Sequence, residues 1–397
     1  MAHAHPPFYS PVLQAWVVTG YADALGILRS PERFSSARVY GTASSFLSLA
    51  PDAQEIVDAT VPLATLHMAA SDPPDHTRLR RTMANAFTPQ RIAAAQPRIR
   101  DLADGLIDGL AHGDHGDLVS QFAAQLALLS ILSVIGVPRG GAGQVKEWFD
   151  SWGRLTLTEV PVEEQLQRAQ DVDRLHGYLR DLVEQRHEEP RDDVASLLAN
   201  VSRLGPEGVS LVEQVNMLAQ LIAAGTHTTA YSLSTCLYRL LRNRRLWENV
   251  LDNPSTISGV VEEALRCNRS VRGLMRAAME DAVVGGVNIL GGSHLYLVLS
   301  EANRDPSVFA DPDAFHPHRS DMGKHVTFGH GIHYCLGAPL ARLEMKVALE
   351  ALTTRLPSLR LHPAERVKTI RNGVVTALTQ LPVEWDGVVA APRIGSR

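Results

Sequence analysis

The sequence has few of the features that mark membrane, nucleic-acid-binding or disulfide-stabilised proteins. No apolar run reaches the roughly 18 residues that a membrane-spanning helix requires. A net charge of −5 argues against nucleic acid as the main partner. Three cysteines are too few for a disulfide framework and favour a reducing compartment. Because the first residues also lack the basic and apolar regions of a signal peptide, we expect a cytoplasmic protein without a membrane partner.

The 397 residues also lack the linkers, repeats and low-complexity blocks that would divide them into domains. Helical periodicity runs through most of the chain, whereas strand-like runs are few and short. We therefore predict a mainly α single domain with small β-sheets over residues 1–397, with a short N-terminal extension over residues 1–14. The individual predictions are a strand over Ala15–Thr19, helices over Ala22–Arg29 and Ile257–Arg266, a hairpin over Val283–Leu290 and a strand over His294–Leu299.

The most informative segment is the loop around Cys335, within residues 328–342, which reads Phe-Gly-His-Gly-Ile-His-Tyr-Cys-Leu-Gly-Ala-Pro-Leu-Ala-Arg. Gly329 and Gly331 allow a positive φ or a close backbone approach before the cysteine, and helix-forming residues follow it. A thiolate at a helix N-terminus is stabilised by the helix dipole and by unpaired N–H groups, which suits an axial haem ligand. Two other interpretations are an ordinary buried cysteine and a zinc site that includes His330 and His333.

The spacing Phe-Gly-x-Gly-x-His-x-Cys-x-Gly resembles the haem-binding signature of the cytochrome P450 family, and every fixed position is present. The resemblance implies the cytochrome P450 fold and heme b (iron protoporphyrin IX), with Cys335 as the metal ligand. It also implies that a loop over about residues 40–66 covers the substrate. The family places a His-x-x-x-Arg pair on a haem propionate, and His76 and Arg80 match it, with Arg276 and His333 as further propionate contacts. Without the resemblance, His76 and Arg80 would be a solvated basic helix start.

A long central helix is predicted over about residues 210–241, starting at a capping box of Ser210 and Glu213. The stretch Ala224-Gly225-Thr226-His227-Thr228-Thr229 interrupts its apolar pattern, and threonine hydroxyls can bond a carbonyl one turn back and bend the helix. By resemblance this is the oxygen pocket, with Thr228 and the residue before it as catalytic residues. His227 stands where the family has an acid. It either relays protons together with Thr228 or points away and leaves proton delivery to water.

Two further groups of charged residues are predicted: the first follows from the same resemblance, and the second is a separate hypothesis whose alternative is ordinary solvated charge. Glu263, Arg266 and Arg319 match the family's buried Glu–Arg–Arg network, which is structural, although Glu-x-x-Arg alone is also a routine surface pair. A basic docking face for an acidic redox partner is predicted beside the cysteine loop. Its members are Arg78, Arg81, His330, Arg342 and Lys346.

The resemblance implies a haem-thiolate monooxygenase that uses molecular oxygen and acts on a mid-sized organic substrate, typically in secondary metabolism. Electrons are expected from a separate ferredoxin or flavodoxin with an NAD(P)H-dependent reductase. The alternatives are oxidative C–C or C–N coupling of an aromatic small peptide or similar substrate, and a non-oxygenase haem-binding protein. The candidate substrate contacts are Met217, Gln220, Leu221, Ala224, Val271, Leu274 and Val375.

Overall fold

Helices form most of the protein. The computed structural model describes residues 6–40, 49–61, 68–157, 159–201, 208–268, 270–371 and 376–391. The α-helices are α1 (Tyr21–Arg29), α2 (Ala37–Tyr40), α3 (Pro51–Thr60), α4 (Asp75–Ala84), α5 (Pro89–Leu110), α6 (Ala124–Ile135), α7 (Ala142–Leu157), α8 (Val162–Glu188), α9 (Val194–Val201), α10 (Leu211–Arg242), α11 (Arg244–Asp252), α12 (Ile257–Cys267), α13 (Leu299–Ala302) and α14 (Ala338–Arg355). The predicted mainly α fold with small sheets is confirmed.

In the part of the chain that the structure describes, the strands are short and form four small sheets. They are β1 (Phe8–Ser10), β2 (Ala15–Val18), β3 (Phe34–Ser35), β4 (His115–Asp117), β5 (Leu274–Ala278), β6 (Ala282–Val284), β7 (Val287–Ile289), β8 (His294–Leu297), β9 (Arg360–Leu361), β10 (Lys368–Arg371), β11 (Thr376–Gln380) and β12 (Pro382–Glu384). The largest sheet has the order β1-β2-β8-β5-β3. Within the described ranges, every helix is too short or too polar to cross a membrane.

Helix α10 runs through the centre of the main core. It begins where Ser210 caps it: the Glu213 N–H donates to Ser210 Oγ at 3.3 Å, and the Ser210 N–H donates back to Glu213 Oε2 at 2.8 Å. Its 32 residues make a rod of about 48 Å, at about 1.5 Å per residue. The helix packs mainly against α6 and α8. The Thr226 hydroxyl bonds the Ile222 carbonyl one turn back, as predicted, and the helix continues unbroken past it.

The five-stranded sheet packs on a smaller core of its own and presents β5 toward the cysteine loop region. Strand β2 runs parallel to β8, and β5 runs antiparallel to β8 with Arg276 opposite Leu295. The predicted strand over residues 294–299 ends at Leu297, because the chain turns into α13 at Leu299. The predicted hairpin is confirmed one residue earlier, since β6 and β7 span residues 282–289. Its turn at Gly285 and Gly286 has φ values of +53° and +79°, which favour glycine.

Helix α3 lies inside the predicted covering loop. Ala53 and Val57 join a small core with residues of α8, and the Ala50 N–H donates to Gln165 Oε1 at 2.7 Å. The helical part of this loop is therefore attached to α8. Residues 41–48 and 62–67 of the predicted loop lie outside the described residues.

Candidate active site

Glycine geometry and a backbone hydrogen bond shape the loop that carries Cys335. Gly329 and Gly331 both have a φ of +69°. A Cβ on Gly331 would lie 2.3 Å from the carbonyl oxygen of Leu28, so only glycine fits there. The Cys335 N–H donates to the Phe328 carbonyl at 2.8 Å, and α14 follows directly. The cysteine is thus fixed at the N-terminus of that helix.

Cys335 is both accessible and closely surrounded by protein. The residue is exposed, and yet burial raises the pKa of its thiol. The N–H groups of Gly337 and Ala338 and the charges on Arg80 and Arg342 oppose this rise in pKa. Because the thiolate is the nucleophilic form, a thiol with a raised pKa is a poor nucleophile. A bound metal ion deprotonates a coordinating thiol, so this position suits a metal ligand better than a nucleophile.

His76, Arg80, Arg276 and His333 converge beside the cysteine loop. The ring centroids of the two histidines are 4.3 Å apart, and Nε2 of each is buried without a hydrogen-bond partner. Arg80 donates to the Tyr334 carbonyl at 2.7 Å. Burial, followed by the charge on Arg276, lowers the pKa of His333 to about 3, and burial also lowers the pKa of His76. Burial thus disfavours the charged form of both histidines, and the two arginines supply the positive charge of this group.

One face of α10 is accessible although most of the helix is buried. Ala224 is exposed and Thr228, one turn later on the same face, is half-buried. The Thr228 hydroxyl donates to the Ala224 carbonyl at 2.6 Å. A Cβ on Gly225 would come within 3.0 Å of Ile131, so the glycine lets α6 pack closely behind this face. Thr228 thus supplies a hydroxyl group to the open side of the helix.

The side chain of His227 is turned toward α7. Its ring centroid lies 5.2 Å from that of Phe149 and 5.8 Å from that of Tyr231, and a Cβ on Gly153 would lie 3.4 Å from its Cε1. Burial lowers the pKa of His227. Successive residues of an α-helix point about 100° apart, so His227 and Thr228 face different directions. The geometry favours the predicted alternative in which His227 points away from the pocket.

Glu263 is the centre of a buried ionic network. It accepts two hydrogen bonds from Arg266, at 2.8 and 2.9 Å, and one from Arg319 at 2.8 Å. Arg266 also donates to the carbonyl of Asn303 at 2.8 Å, and the Asn303 side-chain amide donates to Thr327 Oγ1 at 2.8 Å. Since Thr327 immediately precedes the cysteine loop, the network that the sequence predicts is connected to that loop.

The predicted substrate contacts are not all accessible. Those that are at least partly exposed are Gln220, Leu221, Ala224, Val271 and Leu274. Met217 is 2% exposed and packs in the main core, so its prediction as a substrate contact is wrong. Helix α10 is apolar on nearly every side, and the sequence pattern could not separate core from pocket. Val375 lies outside the described residues.

Three cations of the predicted docking face have carboxylate partners, and one of them, Lys346, lies 3.9 Å from Glu350 one turn along α14. Arg78 donates to Glu213 at 2.6 Å, and Arg342 donates to Glu262 at 2.5 and 3.1 Å. These partners lie 135 and 80 positions away in sequence, which no local pattern reveals. Sequence reasoning also missed Glu262 itself, because the predicted network used only the neighbouring Glu263.

The side chains around Cys335 fit haem. Within the described residues, no group of three or more His, Cys, Asp and Glu side chains could hold a metal ion, which disfavours zinc. Cys335 would therefore bind a metal whose other ligands come from a bound group, as porphyrin nitrogens do. Arg80 and Arg276 match the charges of two propionates, and a carboxylate would satisfy the unpartnered nitrogens of His76 and His333. The fold and the site define a haem-thiolate protein.

Comparison with known proteins identifies the family. The sequence profile described as "Cytochrome P450" matches residues 145–385. The mycinamicin IV hydroxylase/epoxidase of Micromonospora griseorubida is 34% identical over 389 residues, which cover 97% of this chain and 92% of that protein. The pentalenic acid synthase of Streptomyces avermitilis is 36% identical over 373 residues, covering 93% and 88% of the two chains.

Solved structures agree with this result. An intact type IV self-sufficient cytochrome P450 monooxygenase superposes with a TM-score of 0.88 at 29% identity, over 96% of this chain and 50% of that one. This chain thus spans half the length of that enzyme. The chain belongs to the cytochrome P450 family. It is an oxidoreductase of the monooxygenase type with haem as its cofactor, and like its relatives it uses molecular oxygen and a source of electrons.

Proposed function

We propose that the enzyme inserts an oxygen atom into a mid-sized, partly polar organic molecule of secondary metabolism. The observation that carries this proposal is the accessible face of α10, which presents Ala224 and, one turn later, the Thr228 hydroxyl. The names of the relatives, a hydroxylase/epoxidase of mycinamicin IV and a pentalenic acid synthase, support oxidation of natural products.

Haem, when bound, supplies the activation of oxygen, while the protein supplies binding, orientation and proton delivery. The Thr228 hydroxyl donates a hydrogen bond to the Ala224 carbonyl. The oxygen of the Thr228 hydroxyl can therefore still accept a hydrogen bond from water. A water held in this way can deliver protons on the open face of α10. Burial lowers the pKa of His227, and its ring packs against Phe149 and Tyr231, so we assign it to the contact between α7 and α10.

The substrate would lie against the partly exposed side chains of α10 and β5. Leu221, Ala224 and Leu274 offer apolar surface, and Gln220 adds one amide group. A pocket that is mainly apolar, with few polar groups, selects by shape and fixes orientation with single hydrogen bonds. This composition supports a substrate with an apolar body and some polar substituents.

We further propose that electrons come from a separate ferredoxin or flavodoxin with its NAD(P)H-dependent reductase. The two curated relatives match over 92% and 88% of their own lengths, so they are chains of similar size. The self-sufficient enzyme is about twice as long. Turnover with an added ferredoxin and reductase, compared with turnover by the purified chain alone, tests this proposal.

Product mass spectrometry under ¹⁸O₂ tests the reaction type. Oxygen insertion adds one labelled oxygen atom to the product, whereas loss of hydrogens without added oxygen would favour oxidative coupling. Absence of substrate-dependent oxygen uptake would favour a non-oxygenase haem protein.

Two variants test the proton route. Thr228→Ala should divert reducing equivalents to peroxide, while Thr228→Ser, which keeps a hydroxyl, should retain most coupling. His227→Phe keeps the aromatic packing and should leave coupling within about twofold of the parent. A large loss of coupling in His227→Phe would instead support the direct histidine relay.

A further inference from the structure

A second ionic cluster lies between α12, α14 and the start of the cysteine loop. Glu262 accepts hydrogen bonds from Nε and Nη2 of Arg342 at 2.5 and 3.1 Å. These two bonds form a two-point clamp that holds the guanidinium in one orientation. His325 Nε2 lies 3.1 Å from the same carboxylate. The Glu262 side chain is 23% exposed and that of Arg342 is 32% exposed, so water only partly screens the pair.

The clamp places the charge of Arg342 next to the residue that anchors the cysteine. The guanidinium carbon lies 4.6 Å from the centroid of the Phe328 ring. The carbonyl of Phe328 in turn accepts the N–H of Cys335 at 2.8 Å. A cation that is held over Phe328 is therefore part of the electrostatic surroundings of the sulfur.

The third member of the cluster is oriented by the backbone. The Thr327 N–H donates to His325 Nδ1 at 3.4 Å, so Nε2 carries the proton that His325 donates to Glu262. The Thr327 hydroxyl donates to the Leu265 carbonyl on α12 at 2.9 Å. His325 and Arg342 thus fix the carboxylate from two sides. Although burial alone would raise it, hydrogen bonds from His325 and Arg342 lower the pKa of Glu262 to about 2, so the carboxylate is ionised.

We propose that Glu262 is a positioning residue for the thiolate ligand: it clamps Arg342 over Phe328 and sets how strongly that positive charge acts on the Cys335 sulfur. The consequence is a contribution to the reduction potential of the bound haem. A positive charge near the ligand favours the reduced, more negative state, and a compensating carboxylate limits this effect. The proposal concerns the cofactor's potential and does not depend on the identity of the substrate.

The test is a spectroelectrochemical titration of the haem-loaded protein, with small-molecule mediators and without a protein redox partner. Glu262→Gln removes the compensating charge and should shift the potential upward. Arg342→Gln removes the cation and should shift it downward. If Glu262 acts through Arg342, the upward shift from Glu262→Gln should be smaller in the Arg342→Gln background than in the parent.

A matched control uses an arginine–glutamate pair that joins β9 and β12, outside the elements of the clamp. Arg360 donates to Glu384 at 2.7 Å, and their side chains are 43% and 26% exposed, similar to the proposed clamp. Glu384→Gln should leave the potential unchanged. If Arg342→Gln does not retain haem, Arg342→Lys replaces it, with a smaller shift in the same direction, because lysine keeps the charge but cannot form the flat two-point clamp.

Three results would overturn the proposal. Potentials that do not change in either clamp variant would show that the charge is not felt by the haem. Shifts of the same sign in both variants would indicate a general loosening of the loop. An equal shift from Glu262→Gln with and without Arg342 would show that the carboxylate does not act through the arginine.

Discussion

Replacing Glu263 by glutamine should destabilise the enzyme strongly. The side chains of Glu263 and Arg266 are fully buried, and that of Arg319 is 5% exposed. Burial alone would raise the pKa of Glu263, but hydrogen bonds from Arg266 and the His316 N–H lower it, so the carboxylate is charged. Glutamine keeps the shape and removes the charge. Breaking a buried ion pair in this way costs about 3–5 kcal/mol, because the opposite charge stays buried without compensation.

This free energy corresponds to a measurable change in Tm. At an unfolding entropy of about 2.1 cal/mol/K per residue, the whole chain has about 0.8 kcal/mol/K, so the Tm should fall by about 4–6 °C. Thermal unfolding of the haem-loaded protein, followed by circular dichroism and Soret absorbance together, measures the fall.

Glu280→Gln is the matched control for this measurement. Glu280 pairs with Arg33 at 2.7 Å, but their side chains are 62% and 43% exposed. An exposed pair is worth about 0–1 kcal/mol, so this variant should lose no more than about 1 °C. A Tm for Glu263→Gln that is no lower than that of Glu280→Gln would refute the argument that burial makes the network strong.

Three other predictions concern the haem-binding side. Because the pKa of Glu262 is lowered to about 2 from an ordinary value of 4.5, its stabilising contribution is complete above pH 4.5 and is lost as the pH falls toward 2. Glu262→Gln should therefore flatten the pH dependence of unfolding in that window, and an unchanged slope would contradict it. Gly331→Ala should lose haem, since its Cβ meets the Leu28 carbonyl. Gly286 also has a positive φ, +79°, but a Cβ there would meet open space, so Gly286→Ala should cost only about 1–2 kcal/mol of folding stability. Equal haem losses in the two alanine variants would contradict the steric argument. Arg276→Gln should release haem faster to apomyoglobin, whereas an unchanged rate would remove it from the propionate set.

Local sequence patterns predict the elements whose causes are themselves local. The capping box of Ser210 and Glu213 marks the start of α10 correctly, because both partners lie within one turn. The glycines around Cys335 predict a loop that only glycine can form, and Gly331 shows the required positive φ. The fold class follows from these patterns and from the family resemblance.

The missed contacts depend on distances that a local pattern does not contain. Arg78 is paired with Glu213 at the start of α10, and this partner lies 135 positions away. The direction of His227 depends on Phe149, which α7 supplies. Met217 lies on a helix that is apolar all round, so only the packing of α10 decides which side faces the core.

The central claim is that Cys335 binds the haem iron through its thiolate, and the most direct measurement is the absorbance spectrum of the reduced protein under carbon monoxide. The account predicts a Soret band at the wavelength typical of thiolate-ligated haem in the parent protein. The band should persist in Cys236→Ala, which changes a buried cysteine on α10, and it should be absent from Cys335→Ala. A thiolate-type band that survives in Cys335→Ala would contradict the account.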